Sequence, residues 1–141
     1  MSDPAPLSEV SDEACTPFLT LWREGLVIKV VDGDTVDLTI DLGFEVYRRV
    51  RVRLLNAALK GINAPETNRT AERVAGLAAK ARLMALLPNG KLVRLRSIKA
   101  AGSTEKFGRW LAVVLVAGDN GWRSVGDVLV SEGLAVERDY E

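Results

Sequence analysis

The most constraining pattern in this 141-residue chain is the strict alternation of apolar and polar residues over residues 35–41. The apolar positions share one face and are Val36, Leu38 and Ile40. A period of two predicts a strand with one buried face. Residues 26–31, which are β-branched and apolar, and residues 46–55, which alternate again, predict strands on either side. Because the intervening turns are short, the three strands should form an antiparallel sheet.

A helical period replaces this alternation over residues 66–87, and Thr70 is a suitable N-cap. We expect the buried face of this helix to contain Val74, Leu77, Ala78, Ala81, Met84 and Ala85. Further strands are predicted at 91–98 and 110–116, and a second helix at 124–132, with a short helical turn near 18–22 as a third. Five strands with a helix after the third predict an α+β, strand-rich fold, a five-stranded barrel of the oligonucleotide-binding (OB) type.

The ends of the chain differ in composition from its middle. Residues 1–24 are acidic and rich in Pro and Ser, so we expect a mobile tail, followed by one domain at 25–136 and a short tail at 137–141. The sequence shows neither a secretory signal pattern nor an apolar run of the roughly 20 residues that a membrane helix needs. These features predict a cytoplasmic monomer that does not contact membranes.

The residue types present restrict the chemistry. The chain has no histidine, and its single cysteine is Cys15. This composition excludes histidine acid–base catalysis, Ser-His-Asp triads and ordinary zinc sites. Catalysis would have to use carboxylates, Lys, Arg, Tyr, hydroxyls or a metal with oxygen ligands.

The positive charge of the chain is concentrated in its middle. Residues 48–109 carry fifteen Lys or Arg and three acidic residues, a net charge of +12, although the whole chain is neutral. Within this segment Arg49, Arg51 and Arg53 share one face of a predicted strand. Such a distribution suits a phosphate-bearing partner, but a solvated basic surface would look the same.

Three short motifs follow one another along the chain. They are Val-Val-Asp-Gly-Asp-Thr-Val at 30–36, Gly-Ile-Asn-Ala-Pro-Glu-Thr at 61–67 and Glu-Lys-Phe-Gly-Arg at 105–109. Pro65 ends an extended segment, which leaves Glu66 directly after a rigid turn. Each motif alone is weak, but in this order and on this strand pattern they resemble the staphylococcal (thermonuclease-like) nuclease family. The resemblance covers residues 26–136.

This resemblance implies a nuclease that hydrolyses phosphodiester bonds of single-stranded DNA or RNA with little sequence specificity. The implied cofactor is Ca²⁺, with Mg²⁺ or another divalent cation as an alternative. The implied metal ligands are Asp34, Asn63 and the carbonyl oxygen of Ala64.

The same resemblance assigns the reacting groups. Glu66 is implied to be the general base that activates water, directly or by orienting it. Arg109 and Arg53 are implied to bind the scissile phosphate. Lys106 and Phe107 are implied to lie beside the bound nucleotide.

The chain departs from the family pattern at two places. Asn63 stands where the family most often has Asp, which removes one negative charge from the metal site. Without a gap, the family's second phosphate-binding arginine would fall on Ala58. With residues 56–60 as an insertion it falls on Arg53, and we favour this alignment because the residues then match on both sides. An insertion in a strand must loop out to preserve the alternation of side chains.

Two other functional classes remain open on sequence grounds. The insertion or Asn63 could abolish hydrolysis and leave a nucleic-acid-binding module. The barrel could alternatively bind a protein partner, which the basic middle and the presence of Glu66 and Arg109 favour least.

Overall fold

The computed structural model describes residues 22–65, 73–97, 110–119 and 121–138. Within these ranges the strands are β1 (Arg23–Asp32), β2 (Thr35–Asp41), β3 (Tyr47–Leu55), β4 (Gly61–Asn63), β5 (Leu92–Ser97), β6 (Trp110–Gly118), β7 (Gly121–Ser124) and β8 (Val136–Arg138). The helices of the same ranges are α1 (Arg73–Leu86) and α2 (Val125–Ser131). Neither of these two helices has the length and apolar character needed to cross a membrane.

Five of the strands close into a barrel. β1 pairs with β2, β2 with β3, β5 with β6 and β1 with β5, all antiparallel. A parallel pairing of β3 with β6, in which Val52 lies opposite Trp110, closes the ring. The helix α1 lies between the third and fourth barrel strands in the chain, as the OB topology requires. The predicted α+β barrel is therefore confirmed.

Short strands extend the sheet beyond the barrel. β4 pairs antiparallel with the end of β3, β8 pairs with β4, and β7 pairs with β6. The sequence indicated only the extended segment before Pro65, where β4 lies, and not β7 or β8, because strands of three or four residues are too short to show a period.

The barrel interior is filled by apolar side chains from every barrel strand. The most buried include Val27, Leu38, Val52, Leu54, Leu95 and Val114, and the helices add Leu83 and Leu129. Each such side chain stabilises the fold by roughly 1.5–3 kcal/mol relative to an exposed position. The alternation that predicted β2 and β3 is thus the pattern that fills the core.

Both ends of the ordered domain extend further than the sequence indicated. β1 begins at Arg23, and Arg23 and Glu24 pair with β5, so these two residues belong to the barrel and not to the predicted tail at 1–24. At the other end, β8 includes two residues of the tail predicted at 137–141. The predicted helical turn near 18–22 lies almost wholly outside the described residues.

The buried face of α1 differs from the prediction. Its buried residues are Gly76, Ala79, Leu83 and Leu86, whereas Val74, Leu77 and Met84 of the predicted face are exposed. Apolar residues occur on both sides of this helix, so periodicity could not choose between the faces. The predicted start of the helix at residue 66 and its cap at Thr70 lie outside the described residues.

Gly33, in the turn between β1 and β2, explains which face α1 presents. A Cβ atom at Gly33 would lie 2.8 Å from Cβ of Ala64 and 2.8 Å from Cβ of Ala79. Its φ is not positive, so the turn needs glycine at this position for space and not for a left-handed conformation. The turn that carries Asp34 is therefore pressed between α1 and the segment after β4.

We expect Gly33→Ala to lower the free energy of unfolding by about 1–3 kcal/mol, the usual cost of overpacking. The added methyl group would push the turn away from Ala64 and Ala79. Chemical denaturation of Gly33→Ala, Ala79→Gly and the double variant measures this effect. Because Ala79→Gly removes one of the two clashes, the double variant should lose less than the sum of the single losses. Additive losses would show that the close contact with α1 is not the cause.

Candidate active site

Asp34 lies at the junction of three segments. Its Oδ1 accepts a hydrogen bond from the hydroxyl of Thr35 at 2.9 Å, and its Oδ2 accepts one from the N–H of Ala64 at 3.1 Å. Its backbone carbonyl accepts the N–H of Leu54 in β3 at 2.9 Å. The side chain is only 9% exposed. Backbone and side-chain contacts together fix the direction of this carboxylate.

Arg53 reaches the same place from β3. Its backbone lies opposite Thr35 in the β2–β3 pairing. Its Nη2 donates to Oδ1 of Asn63 at 2.8 Å and lies 3.6 Å from Oδ2 of Asp34. One guanidinium nitrogen is therefore placed between the side-chain oxygens of the two predicted metal ligands.

Residues 56–60 loop out of the strand as a tight hairpin. Leu55 at the end of β3 lies opposite Gly61 at the start of β4, and the N–H of Asn56 donates to the carbonyl of Lys60 at 2.8 Å. The Asn56 side chain accepts the N–H groups of Ala58 and Lys60, both at 3.0 Å. Ala58 is exposed in the turn of this hairpin. The extra residues thus leave the side-chain alternation of β3 intact, and Arg53, not Ala58, lies beside Asp34 and Asn63.

The hairpin is anchored to the last elements of the domain. Nδ2 of Asn56 donates to Glu137 of β8 at 3.0 Å, and the N–H of Ala57 donates to Asp127 of α2 at 2.8 Å. A Cβ atom at Gly126 would lie 2.6 Å from the carbonyl oxygen of Leu55, so α2 packs directly on the end of β3. These contacts hold the end of β3, which positions Arg53 two residues earlier.

The three arginines predicted to share one strand face have different surroundings. Arg51 forms a two-pronged ion pair with Asp37, with Nε to Oδ1 at 2.8 Å and Nη2 to Oδ2 at 3.2 Å. This hydrogen bonding lowers the pKa of the Asp37 carboxyl below its ordinary value. Arg49 is exposed, whereas Arg53 is buried at the site. The face is therefore neither wholly solvated nor wholly part of the site.

The oxygen atoms of the site are ligands of the type that a hard cation prefers. Carboxylate, amide and backbone oxygens are the ligands that Ca²⁺ prefers. Within the described residues, however, no group of three or more Asp, Glu, His or Cys side chains could hold a metal ion. The side-chain oxygens of Asp34 and Asn63 fit such a cation, because the two oxygens already lie around a positively charged group, Nη2 of Arg53. The N–H of Ala64 donates to Asp34, and the role of the Ala64 carbonyl oxygen as a metal ligand stays a prediction.

The predicted site residues fall into two groups, four inside and four outside the described ranges. Glu66, Lys106, Phe107 and Arg109 lie outside the described residues. The structure brings together Asp34, Arg53, Asn63 and Ala64, and the roles of all eight residues stay predictions.

Sequence reasoning missed two residues that shape the site. Thr35 orients the Asp34 carboxylate, and its place directly after Asp34 in the first motif was the available signal. Asn56 organises the hairpin, but no pattern in the sequence marked it.

Comparison with known proteins supports the same family. Residues 56–141, more than half of the chain, match the model of the staphylococcal nuclease homologue family. The chain therefore belongs to this family, whose members generally hydrolyse nucleic acids. A search of curated proteins found no match. The matched residues begin after Asp34 and Arg53 in the sequence. It is the structure that shows these two residues beside Asn63 and Ala64 of the matched segment.

Deletion of residues 56–60 tests whether the hairpin displaces Arg53. Because Arg53 already lies beside Asp34 and Asn63, we expect no gain in any nuclease rate. We expect lower stability, since the contacts with Asp127 and Glu137 are lost. Leu59→Gly is a control of unchanged length: Leu59 has φ +65°, which glycine adopts without strain, so this variant should be at least as stable as the parent. A large increase in rate after the deletion would show that the insertion misplaces Arg53.

The Asp37–Arg51 pair predicts a pH-dependent contribution to stability. Since folding lowers the pKa of Asp37 below its unfolded value of about 3.9, the pair stabilises the fold above that pH. The contribution disappears as the pH falls through the folded pKa. Because Arg51 is half exposed, Asp37→Asn should cost only about 1 kcal/mol at pH 7, and this cost should shrink as the pH falls below about 3.9. Denaturation curves across this range check it, and a cost independent of pH would contradict it.

Proposed function

We propose that this protein is a divalent-cation-dependent nuclease that hydrolyses phosphodiester bonds of single-stranded DNA or RNA. The observation that carries the proposal is the convergence of Arg53 with Asp34 and Asn63 despite the insertion. An inserted segment that moved Arg53 by about 1 Å could cost roughly 100-fold in rate. The anchored hairpin avoids that displacement, which supports an active enzyme.

The proposed metal ligands are Asp34, Asn63 and the carbonyl of Ala64. A Ca²⁺ ion bound by them would offset phosphate charge and gather water and substrate at one point. The hydrogen bonds from Thr35 and Ala64 to Asp34 keep its carboxylate directed at this position. Such preorganisation removes a cost that binding would otherwise carry.

Glu66 is the proposed general base, and it follows Ala64 by two positions along the chain. Its carboxylate would take a proton from water as the water oxygen bonds to phosphorus. The bond from phosphorus to the leaving oxygen then breaks, and that oxygen takes a proton from solvent. A carboxylate base suits a chain without histidine.

Arg109 and Arg53 are the proposed phosphate ligands. Arg109 directly precedes Trp110, which lies opposite Val52, the neighbour of Arg53 in β3. The pairing of Trp110 with Val52, together with the place of Arg109 next to Trp110 in the sequence, supports a shared role for the two arginines. An arginine fork matches two phosphate oxygens and strengthens its hold as charge develops in the transition state. Lys106 and Phe107 are proposed to contact the nucleotide. Since such contacts are mainly with the backbone, little sequence preference is expected.

A non-catalytic nucleic-acid-binding module is the second candidate. The observation that favours it is the charge of the site, where Asp34 is the one carboxylate among the proposed ligands and Arg53 already neutralises it. A weakly bound metal would leave the basic surface able to hold nucleic acid without cleaving it.

A cleavage assay separates the two candidates. The purified protein is incubated with single-stranded DNA and with RNA in the presence of Ca²⁺, Mg²⁺ or a chelator. We expect cleavage that requires a divalent cation and falls at least about 100-fold in Glu66→Gln, because the general base is lost. Glu45→Gln, which neutralises an exposed carboxylate in the β2–β3 turn, is the matched control and should retain activity. Salt-sensitive binding without cleavage under every metal would refute the enzyme and support the binding module.

A further inference from the structure

We infer that Arg53 is an internal cation that competes with the divalent metal for Asp34 and Asn63, and that metal binding releases it to the substrate phosphate. The inference rests on the proposed metal-dependent function and adds a regulatory contact to that site. In the metal-free site Arg53 contacts the two ligand side chains, and the metal must displace Arg53 in order to bind them.

The distances around Nη2 of Arg53 indicate this competition. Nη2 of Arg53 lies 2.8 Å from Oδ1 of Asn63 and 3.6 Å from Oδ2 of Asp34. Ca²⁺ binds its oxygen ligands at about 2.3–2.6 Å. A cation that bridged the two oxygens from the side on which Nη2 lies would overlap this nitrogen, and the guanidinium charge would repel a cation close to both oxygens. In its present position Arg53 therefore competes with the metal for the two oxygens.

The charges at this contact also favour competition. Among the described residues, Asp34 places a negative charge beside Arg53, and the guanidinium pairs with it. Asn63 accepts a hydrogen bond from the guanidinium but contributes no charge to attract a divalent ion. The occupied arrangement thus already pairs two opposite charges, and metal binding must overcome that contact.

The burial of Arg53 limits its access to a phosphate. The Arg53 side chain is only 10% exposed while it holds these oxygens. The guanidinium must turn outward before two of its nitrogens can donate to a phosphate of a nucleic acid. Displacement of the Arg53 guanidinium by the metal would turn it outward. Metal and phosphate should therefore bind cooperatively, and each should raise the affinity of the other by the same factor.

Calorimetric titration with Ca²⁺, in the absence of nucleic acid, tests the competition. If Arg53 occupies the position about nine-tenths of the time, the apparent affinity is reduced about tenfold. We therefore expect Arg53→Gln to bind Ca²⁺ about tenfold more tightly than the parent protein. Arg49→Gln is the matched control, because it removes the same charge from the same strand face at an exposed position. Its affinity for Ca²⁺ should change by less than about twofold.

Two further variants guard against loss of folding and against a purely electrostatic effect. Arg53→Met fills the same buried space without charge and should give the same gain, with folding checked by circular dichroism. Asn63→Asp adds a ligand charge but also strengthens the hold on Arg53. Its gain in Ca²⁺ affinity should therefore be larger in the Arg53→Gln background than in the parent protein.

The competing outcomes are distinct. Equal or weaker Ca²⁺ binding by both neutral Arg53 variants would overturn the inference, as would equal gains from Asn63→Asp in the two backgrounds. Absence of Ca²⁺ binding in every variant would overturn it too. Because metal binding is measured without substrate, a protein that shows the competition but does not cleave would refute the nuclease function alone.

Discussion

The contact on which this site depends is the bridge from Nη2 of Arg53 to the oxygens of Asn63 and Asp34. It joins β3, the turn between β1 and β2, and the segment that begins at β4. Each of these is held elsewhere: the turn by Gly33 against α1, and β3 by its pairings with β2 and β6. Closure of the barrel therefore brings together residues that lie up to 30 positions apart in the chain.

The five extra residues show how a barrel strand tolerates an insertion. An odd number of residues within the strand would turn every later side chain to the opposite face. The hairpin avoids this because Asn56 closes the turn through its own backbone and side chain. The hairpin also binds to α2 and β8. The insertion thus has a structural role, since it connects the end of β3 with the last elements of the domain.

Strong local patterns were sufficient to predict the barrel. The alternation in β2 and β3 and the position of the helix after the third strand gave the correct topology. The buried face of α1 could not be predicted, because apolar residues occur on both of its sides and the contact between Ala79 and Gly33 decides between them. Motif order predicted that Asp34, Asn63 and Ala64 lie together. The position of Arg53 depended on whether residues 56–60 loop out, which is settled by long-range contacts that no local pattern contains.

The central claim is that a divalent cation replaces the Arg53 guanidinium between Asp34 and Asn63. A crystal structure of the protein grown with Ca²⁺ tests it most directly. The account predicts density for a cation within about 2.6 Å of Oδ2 of Asp34 and Oδ1 of Asn63. It also predicts that the Arg53 guanidinium turns away from both oxygens. A Ca²⁺ ion bound elsewhere, with Nη2 of Arg53 still donating to Asn63, would contradict the account.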